Sequence, residues 1–141
     1  MKTAAAIALI CAAAIALPAA SQTPEAAVTF EFDLGARTGA VMVALFDSET
    51  AYVDGAPVRQ AMVDVAGGAT TAVFEGLSAG DYAMKAFHDV DGDGEMDANP
   101  FGLPTEPYGF SNNAVGNMGP ASWDRARFTV SGATAQTISL R

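Results

Sequence analysis

Apolar and polar residues alternate with a period of two along much of the chain after residue 27. The most regular segment is residues 28–34, where the apolar positions are Val28, Phe30, Phe32 and Leu34. Such alternation predicts a β-strand with one face buried. Residues 39–47 are short and almost continuously apolar, which favours a strand buried on both faces.

Five more short segments fit strands, at residues 58–65, 69–74, 82–88, 126–130 and 137–140. Turn signals separate them at the roughly 8–12-residue spacing typical of β-sandwiches. Residues 48–57 carry turn chemistry, and no helical apolar stripe stands out between residues 21 and 141. The pattern predicts one all-β domain over residues 21–141, an antiparallel, Ig-like β-sandwich of about seven strands.

One long connection, residues 89–123, interrupts this regular spacing of strands and turns. Most loops are much shorter, and long ordered loops are usually functional. The segment is rich in proline, glycine and aromatic residues. We expect it to be ordered, with a cation bound near its start and with Tyr108, Phe110 and Trp123 packed beneath it.

An acidic cluster opens this connection and holds five of the sixteen acidic residues of the chain: Asp89, Asp91, Asp93, Glu95 and Asp97. Alternate carboxylates followed by a glycine form the first half of a calcium loop, because a tight turn directs alternate side chains inward. Gly94 permits the sharp bend. Without a cation the carboxylates would repel one another. The cluster predicts a structural Ca²⁺ held by these five residues, and the alternative is an acidic surface turn without an ion.

The cluster is not an EF-hand. The twelfth position counted from Asp89, where an EF-hand needs a bidentate carboxylate, is Pro100, and no helical pattern flanks the loop. We expect Asp97 or a later group, Glu106, Asn112 or Asn113, to complete the shell. Magnesium is less favoured because it relies on fewer protein carboxylates.

Two further features admit more than one interpretation. His88, the only histidine, is either a general base or metal ligand, or a structural residue that hydrogen-bonds the long loop. We favour the structural role because no nucleophile or pocket is evident. Residues 108–113 suit a recognition loop for sugars or peptides, with Glu106 beside them. Alternatively, Tyr108 and Phe110 cover the core while Asn112 and Asn113 cap turns.

Residues 1–20 have the features of a cleavable secretory signal. Lys2 precedes an apolar run that ends at Leu17, and small residues follow. The run is shorter than the roughly 20 apolar residues of a membrane span. We therefore expect a periplasmic or secreted protein whose mature chain has no transmembrane segment. Losing Lys2 would change the net charge from −9 to −10, and this acidity argues against nucleic acid as a partner.

Two segments resemble a secreted bacterial family, domain of unknown function 2141. They are Phe87-His88-Asp89-x-Asp91-Gly92-Asp93-Gly94-x-x-Asp97 and Gly102-x-Pro104-x-Glu106-x-Tyr108-Gly109-Phe110-Ser111-Asn112-Asn113. The resemblance extends over the mature chain, but it implies no activity, because none is established for the family. The turn Leu77-x-x-Gly80-x-Tyr82 is also similar to one in transthyretin-like domains, which supports the sandwich by analogy.

These observations favour a non-enzymatic exported module that binds calcium structurally. Its role would be an interaction in the cell envelope, with an unknown envelope protein or a small ligand as its partner. One alternative is a hydrolase-like enzyme that uses His88 and the loop 89–123. Another is a carrier that holds a small hydrophobic ligand between the sheets or in the loop.

Overall fold

The computed structural model describes residues 25–141, so the signal predicted at residues 1–20 lies outside the described residues. Eight strands and two short α-helices follow one another along the chain. They are β1 (Ala26–Asp33), β2 (Ala40–Phe46), α1 (Glu49–Asp54), β3 (Arg59–Asp64), β4 (Thr71–Leu77), β5 (Gly80–Asp89), β6 (Tyr108–Phe110), α2 (Trp123–Ala126), β7 (Phe128–Val130) and β8 (Ala133–Ser139). Within residues 25–141, no helix is both long and apolar enough to cross a membrane.

Two sheets face each other and confirm the predicted β-sandwich. The first has the strand order β4-β1-β8, and the second has the order β3-β2-β5-β6, with β7 paired to the start of β5. Alternate residues of β1 and β2 fill the space between the sheets, as the period of two predicted. Phe30, Leu45, Met84 and Ile138 are each exposed by less than 2 % there.

The sandwich departs from the sequence prediction in its strand directions. β1 pairs with β4 antiparallel, but it pairs with β8 in parallel along its length, from Ala27↔Ala133 to Asp33↔Ser139. The expectation of an antiparallel sandwich is therefore wrong for this pair. Alternation identifies which face of a strand is buried, but it carries no information about the direction of the neighbouring strand.

Two short helices were not expected from the sequence: α1 lies in the segment 48–57 assigned to turns, and α2 begins at the end of the long connection. In α1, Ser48 is the N-cap and accepts a hydrogen bond from the amide of Ala51 at 3.2 Å, while Gly55 ends the helix with φ +71°. These are ordinary capping signals. However, a helix of six residues is too short to show a 3.6-residue period. α2 includes only Ala126 of the strand predicted at residues 126–130, and β7 forms its second half.

These helices cover the outer face of the second sheet and create a second, smaller core. Its buried members are Phe46, Tyr52, Ala83, Phe110, Ala121 and Ala126. Lys85 lies over the ring of Tyr52 at 4.1 Å from the centroid and donates a hydrogen bond to the Tyr52 carbonyl at 2.6 Å. Burial lowers the pKa of Lys85. β2 is thus packed on both faces near Phe46, as the apolar run at 39–47 predicted, whereas Ala40 and Met42 on its outer face are only half-buried.

The second half of the long connection joins the two sheets. β6 pairs with β5 as an edge strand of the second sheet, and a 3₁₀ turn follows at Ser111–Asn113. The Asn113 side chain donates to the Thr137 carbonyl and accepts from the Ser139 amide, both at 2.9 Å. The amide thus occupies the outer edge of β8 much as a neighbouring strand would. These hydrogen bonds explain why the second half of the connection is ordered, as the sequence analysis expected.

Candidate metal site

Asp89 ends β5, and the acidic loop winds around its carboxylate. One oxygen of Asp89 accepts from the amides of Gly92 at 2.8 Å and Asp93 at 3.2 Å, and the other accepts from Gly94 at 2.8 Å. Gly92 and Gly94 have φ +79° and +84°, which glycine adopts without steric cost. Desolvation alone would raise the pKa of Asp89, but these amide hydrogen bonds outweigh it and lower the pKa.

Two groups of carboxylates converge above this turn. Asp91, Asp93 and Asp97 each present a ligand atom within 4.8 Å of the others, and so do Asp89, Asp91 and Glu106. Asp91 belongs to both groups. Sequence reasoning placed four of these residues in one site, and the structure brings all four together with Glu106.

Electrostatic repulsion within the cluster is visible in the ionisation of its members. The negative charge of Asp91, followed by desolvation and the charges of Asp93, Glu106 and Asp89, raises the pKa of Asp97. The Asp93 amide lowers the pKa of Asp91, but desolvation and the neighbouring charges more than offset this hydrogen bond, so the pKa is raised. Without a cation, the site is therefore an unfavourable concentration of negative charge.

Glu106 links the two limbs of the loop from below. Its side chain is 7 % exposed, and its two oxygens accept from the amides of Val90 at 2.8 Å and Asp97 at 3.2 Å. The sequence analysis named Glu106 as one of several residues that would complete the shell and as a neighbour of the possible recognition loop 108–113. Its bridging role was not apparent because Val90 lies 16 residues away along the chain.

Beyond the carboxylates, the loop forms a fixed tip. Ala98 and Pro104 form a β-bridge, and the Asn99 carboxamide oxygen accepts from the amides of Phe101 at 2.9 Å and Leu103 at 3.1 Å. The side chains of Phe101 and Leu103 nevertheless point outward, with exposed fractions of 89 % and 61 %.

Other residues of the predicted set lie apart from the cluster. Glu95 is exposed and belongs to neither carboxylate group. Asn112 and Asn113 bond α2 and β8 through their side chains. Phe110 is buried in the second core, whereas Tyr108 is 38 % exposed and packs against Phe110 edge to face.

His88 lies one residue before Asp89 and is 1 % exposed. Its Nε2 is 2.6 Å from the carbonyl oxygen of Thr38, so Nε2 carries the proton and donates it. Nδ1 has no hydrogen-bond partner among the described residues. The ring of His88 therefore bonds the β1–β2 connection, whereas its backbone amide donates to the Pro107 carbonyl of the long connection at 2.7 Å, as the structural role predicted from the sequence requires.

The donor set suits a hard divalent cation. Every ligand atom in both groups is a carboxylate oxygen, and Ca²⁺ prefers such oxygens at coordination numbers of about 6–8.

Thr38 was missed by the sequence analysis, because a residue whose backbone carbonyl bonds His88 from 50 positions away leaves no local signal.

Comparison with known proteins supplies a family and no activity. The profile of a family described as uncharacterized proteins conserved in bacteria, DUF2141, matches residues 32–139. The match includes the acidic loop, the tip and the segment 108–113. No curated protein and no solved structure gives a match. The chain is therefore a member of DUF2141, the family it resembles in sequence.

Proposed function

We propose that this protein is a calcium-binding β-sandwich module in which the ion holds the loop 89–106 in place. The observation that carries the proposal is the convergence of Asp91, Asp93 and Asp97 within 4.8 Å, with Glu106 fastening both limbs of the loop. A divalent cation would relieve the repulsion that raises the pKa values of Asp91 and Asp97. Because the carboxylates of Asp91, Asp93 and Asp97 are exposed, water would complete the shell.

Calcium fits this arrangement better than magnesium. The loop offers several carboxylates within reach of one ion, whereas Mg²⁺ uses only one or two carboxylates, demands near-octahedral geometry and retains its waters. An open site of this kind would have an affinity typical of extracellular calcium modules, with a Kd of roughly 10⁻⁴–10⁻³ M. Such an affinity is sufficient where calcium is abundant, which agrees with the export proposed for this chain.

Calorimetric titration of the purified, chelator-treated protein tests the proposal. Saturable binding of about one Ca²⁺ per chain, with much weaker binding of Mg²⁺, is the expected result. Absence of both binding heat and a calcium-dependent rise in melting temperature, at Ca²⁺ concentrations about tenfold above this Kd, would show that the cluster is a solvated acidic turn. Amino-terminal sequencing of the protein from a periplasmic fraction tests export and cleavage.

The fixed tip supports an interaction role for the module in the envelope. Asn99 holds the turn so that Phe101 stays 89 % exposed instead of folding onto the surface. A photo-crosslinking residue at position 101, compared with one at Val73, which is 52 % exposed on β4, tests this role in cells. A defined adduct at position 101 alone supports it, and equal or absent labelling at both positions opposes it.

The two alternative functions find less support. A hydrolase would need His88 to reach a substrate, but the ring is buried and its Nε2–H is engaged by Thr38. A carrier that held its ligand between the sheets would need space there, but Phe30, Leu45 and Met84 fill it. Both arguments are independent of the calcium proposal.

A further inference from the structure

We infer that Thr38 and Gly39, here called the strap, position the start of the acidic loop for its ion, so that the backbone of Asp89 and Val90 is in place before the ion binds and holds the rest of the loop. The inference rests on the proposed calcium site and identifies residues that set its affinity without contributing a carboxylate. The strap lies between β1 and β2, about 50 residues before the loop in sequence.

Gly39 brings the strap into direct contact with the loop backbone. A Cβ atom at this position would lie 1.8 Å from the carbonyl oxygen of Asp89 and 2.9 Å from that of Val90. Real Cβ atoms do not approach backbone atoms so closely. Any side chain larger than hydrogen would therefore displace the peptide groups of the residue that anchors the loop and of its neighbour.

Thr38 adds two hydrogen bonds at the same place. Its carbonyl accepts from His88 Nε2 at 2.6 Å, and its hydroxyl donates to the Val90 carbonyl at 3.3 Å. The buried ring of His88 thus connects the strap to the end of β5 by a hydrogen bond inside the sandwich. This gives the buried histidine a positioning role that requires no catalytic chemistry.

The strap is itself fixed, so it can resist movement of the loop. The Ala66 amide donates to the Gly39 carbonyl at 3.1 Å, and Ala40 pairs with Asp89 in the β2–β5 ladder. On the opposite side, Glu106 accepts from the Val90 amide at 2.8 Å. Val90 is therefore held through both its carbonyl and its amide, between the two acidic residues Asp89 and Asp91.

Holding this peptide segment directs the carboxylates that the proposed site uses. If the segment shifted, Asp89 would no longer meet the amides of Gly92 and Gly94, and Asp91 would leave both carboxylate groups. Residues outside the ligand shell that orient ligands typically change metal affinity by about 10- to 100-fold when they are lost. The strap belongs to this class.

The test compares Gly39→Ala with Gly55→Ala. Both glycines have positive φ, +67° and +71°, so both variants carry similar backbone strain, but a Cβ at Gly55 meets nothing within 4 Å. We expect Gly39→Ala to weaken calcium binding by about tenfold or more in calorimetry, and Gly55→Ala to leave it unchanged. Equal affinities in the two folded variants would overturn the inference.

A second pair of variants covers the case in which Gly39→Ala does not fold. His88→Leu removes the donor to Thr38, whereas His88→Gln retains an amide donor of similar reach. The expected result is weaker calcium binding in His88→Leu and recovery in His88→Gln. The same affinity in both variants would contradict the positioning role.

Hydrogen exchange in chelator separates this inference from the calcium proposal. The amides of Gly92 and Gly94 are bonded to Asp89, so they should exchange faster in His88→Leu than in the wild type, while amides in β1 keep their protection. Faster exchange supports the strap even if no calcium binds to the wild type, which would overturn only the calcium proposal. Unchanged exchange would overturn the strap whatever the calcium result.

Discussion

The carboxylate of Asp97 is expected to destabilise the fold of the ion-free protein and to contribute to calcium binding. The charges of Asp91, Asp93, Glu106 and Asp89 raise its pKa, which means that the ionised form is destabilised by its neighbours. Asp97→Asn should therefore increase the free energy of unfolding in chelator and decrease the calcium affinity. Urea denaturation and calorimetry measure the two effects, which are expected to have opposite signs.

Glu95→Gln is the matched control for this prediction. Glu95 carries the same charge in the same loop but belongs to neither carboxylate group. We expect its loss to change the calcium affinity much less than the loss of Asp97. If the two variants weakened binding equally, the ion would be attracted by the general field of the loop and not by the geometry of the cluster.

Tyr52 makes a separate prediction at alkaline pH. Burial raises the pKa of its phenol from 10.0 to about 12. The unfolded chain thus ionises first, so the contribution of Tyr52 to stability is complete below about pH 10 and is lost between about pH 10 and 12. Lys85, whose pKa is lowered by burial, acts in the opposite direction, because the unfolded chain then binds more protons.

Tyr52→Phe isolates the effect of the phenol. The variant loses the hydrogen bond to the Ala121 carbonyl at every pH, but its unfolding free energy should fall less steeply than that of the wild type between pH 10 and 12. Tyr108→Phe, at an exposed ring, controls for the loss of a tyrosine hydroxyl. Parallel stability curves for wild type and Tyr52→Phe would contradict the assignment.

At the scale of elements, Asn113 closes the exposed edge of β8. Asn113→Gly keeps the backbone free to adopt φ +50° but removes both hydrogen bonds to Thr137 and Ser139. At about 0.5–1.5 kcal/mol for each bond, the loss of stability should be about 1–3 kcal/mol. Chemical denaturation measures it.

The same variant exposes unpaired backbone groups of β8, and such edges pair with other chains. We therefore expect Asn113→Gly to self-associate more than the wild type at high protein concentration, as measured by light scattering. Thr129→Ala, which removes a surface hydrogen bond to Asp81, is the control for a general loss of stability. Equal behaviour of the two variants would show that Asn113 does not protect the edge.

The elements that the sequence predicted well are those whose own side chains report their burial. β1 and β2 were located within one or two residues because alternation or a continuous apolar run is a local property. β6 was missed because three residues cannot show a period, and its position depends on pairing with β5. The parallel partner of β1 lies 106 residues away, at Ala133 opposite Ala27, so no local pattern could indicate it.

In the candidate site too, the features set by local sequence could be predicted and those set by contacts between distant segments could not. Asp91, Asp93 and Asp97 were predictable because their spacing and the glycines between them determine a local turn. The bridge through Glu106 and the contact with Gly39 depend on the fold bringing distant segments together. Glu95 has the spacing of a ligand but lies outside both groups, since spacing alone does not fix the direction of a side chain.

At the scale of the whole molecule, the loop stands between the last residue of β5 and the strand that pairs with it. The His88 amide donates to the Pro107 carbonyl at 2.7 Å, so both ends of the loop are already held by the second sheet. From the end of β6 onward, the chain supplies Phe110, Ala121 and Ala126 to the second core. An ion that orders the loop is thus connected to the packing of the domain.

This connection predicts the effect of calcium on thermal unfolding. An ion that binds only the folded chain at 100 times its Kd adds about 2.7 kcal/mol to stability. For a domain of this size, that amounts to a rise in Tm of roughly 10 °C. Calorimetric melts with calcium and with excess chelator measure the difference, and magnesium at the same concentration serves as the control ion. If calcium bound but left Tm unchanged, the unfolded chain would hold the ion equally well, and the clustered aspartates would act as a local chelating sequence independent of the fold.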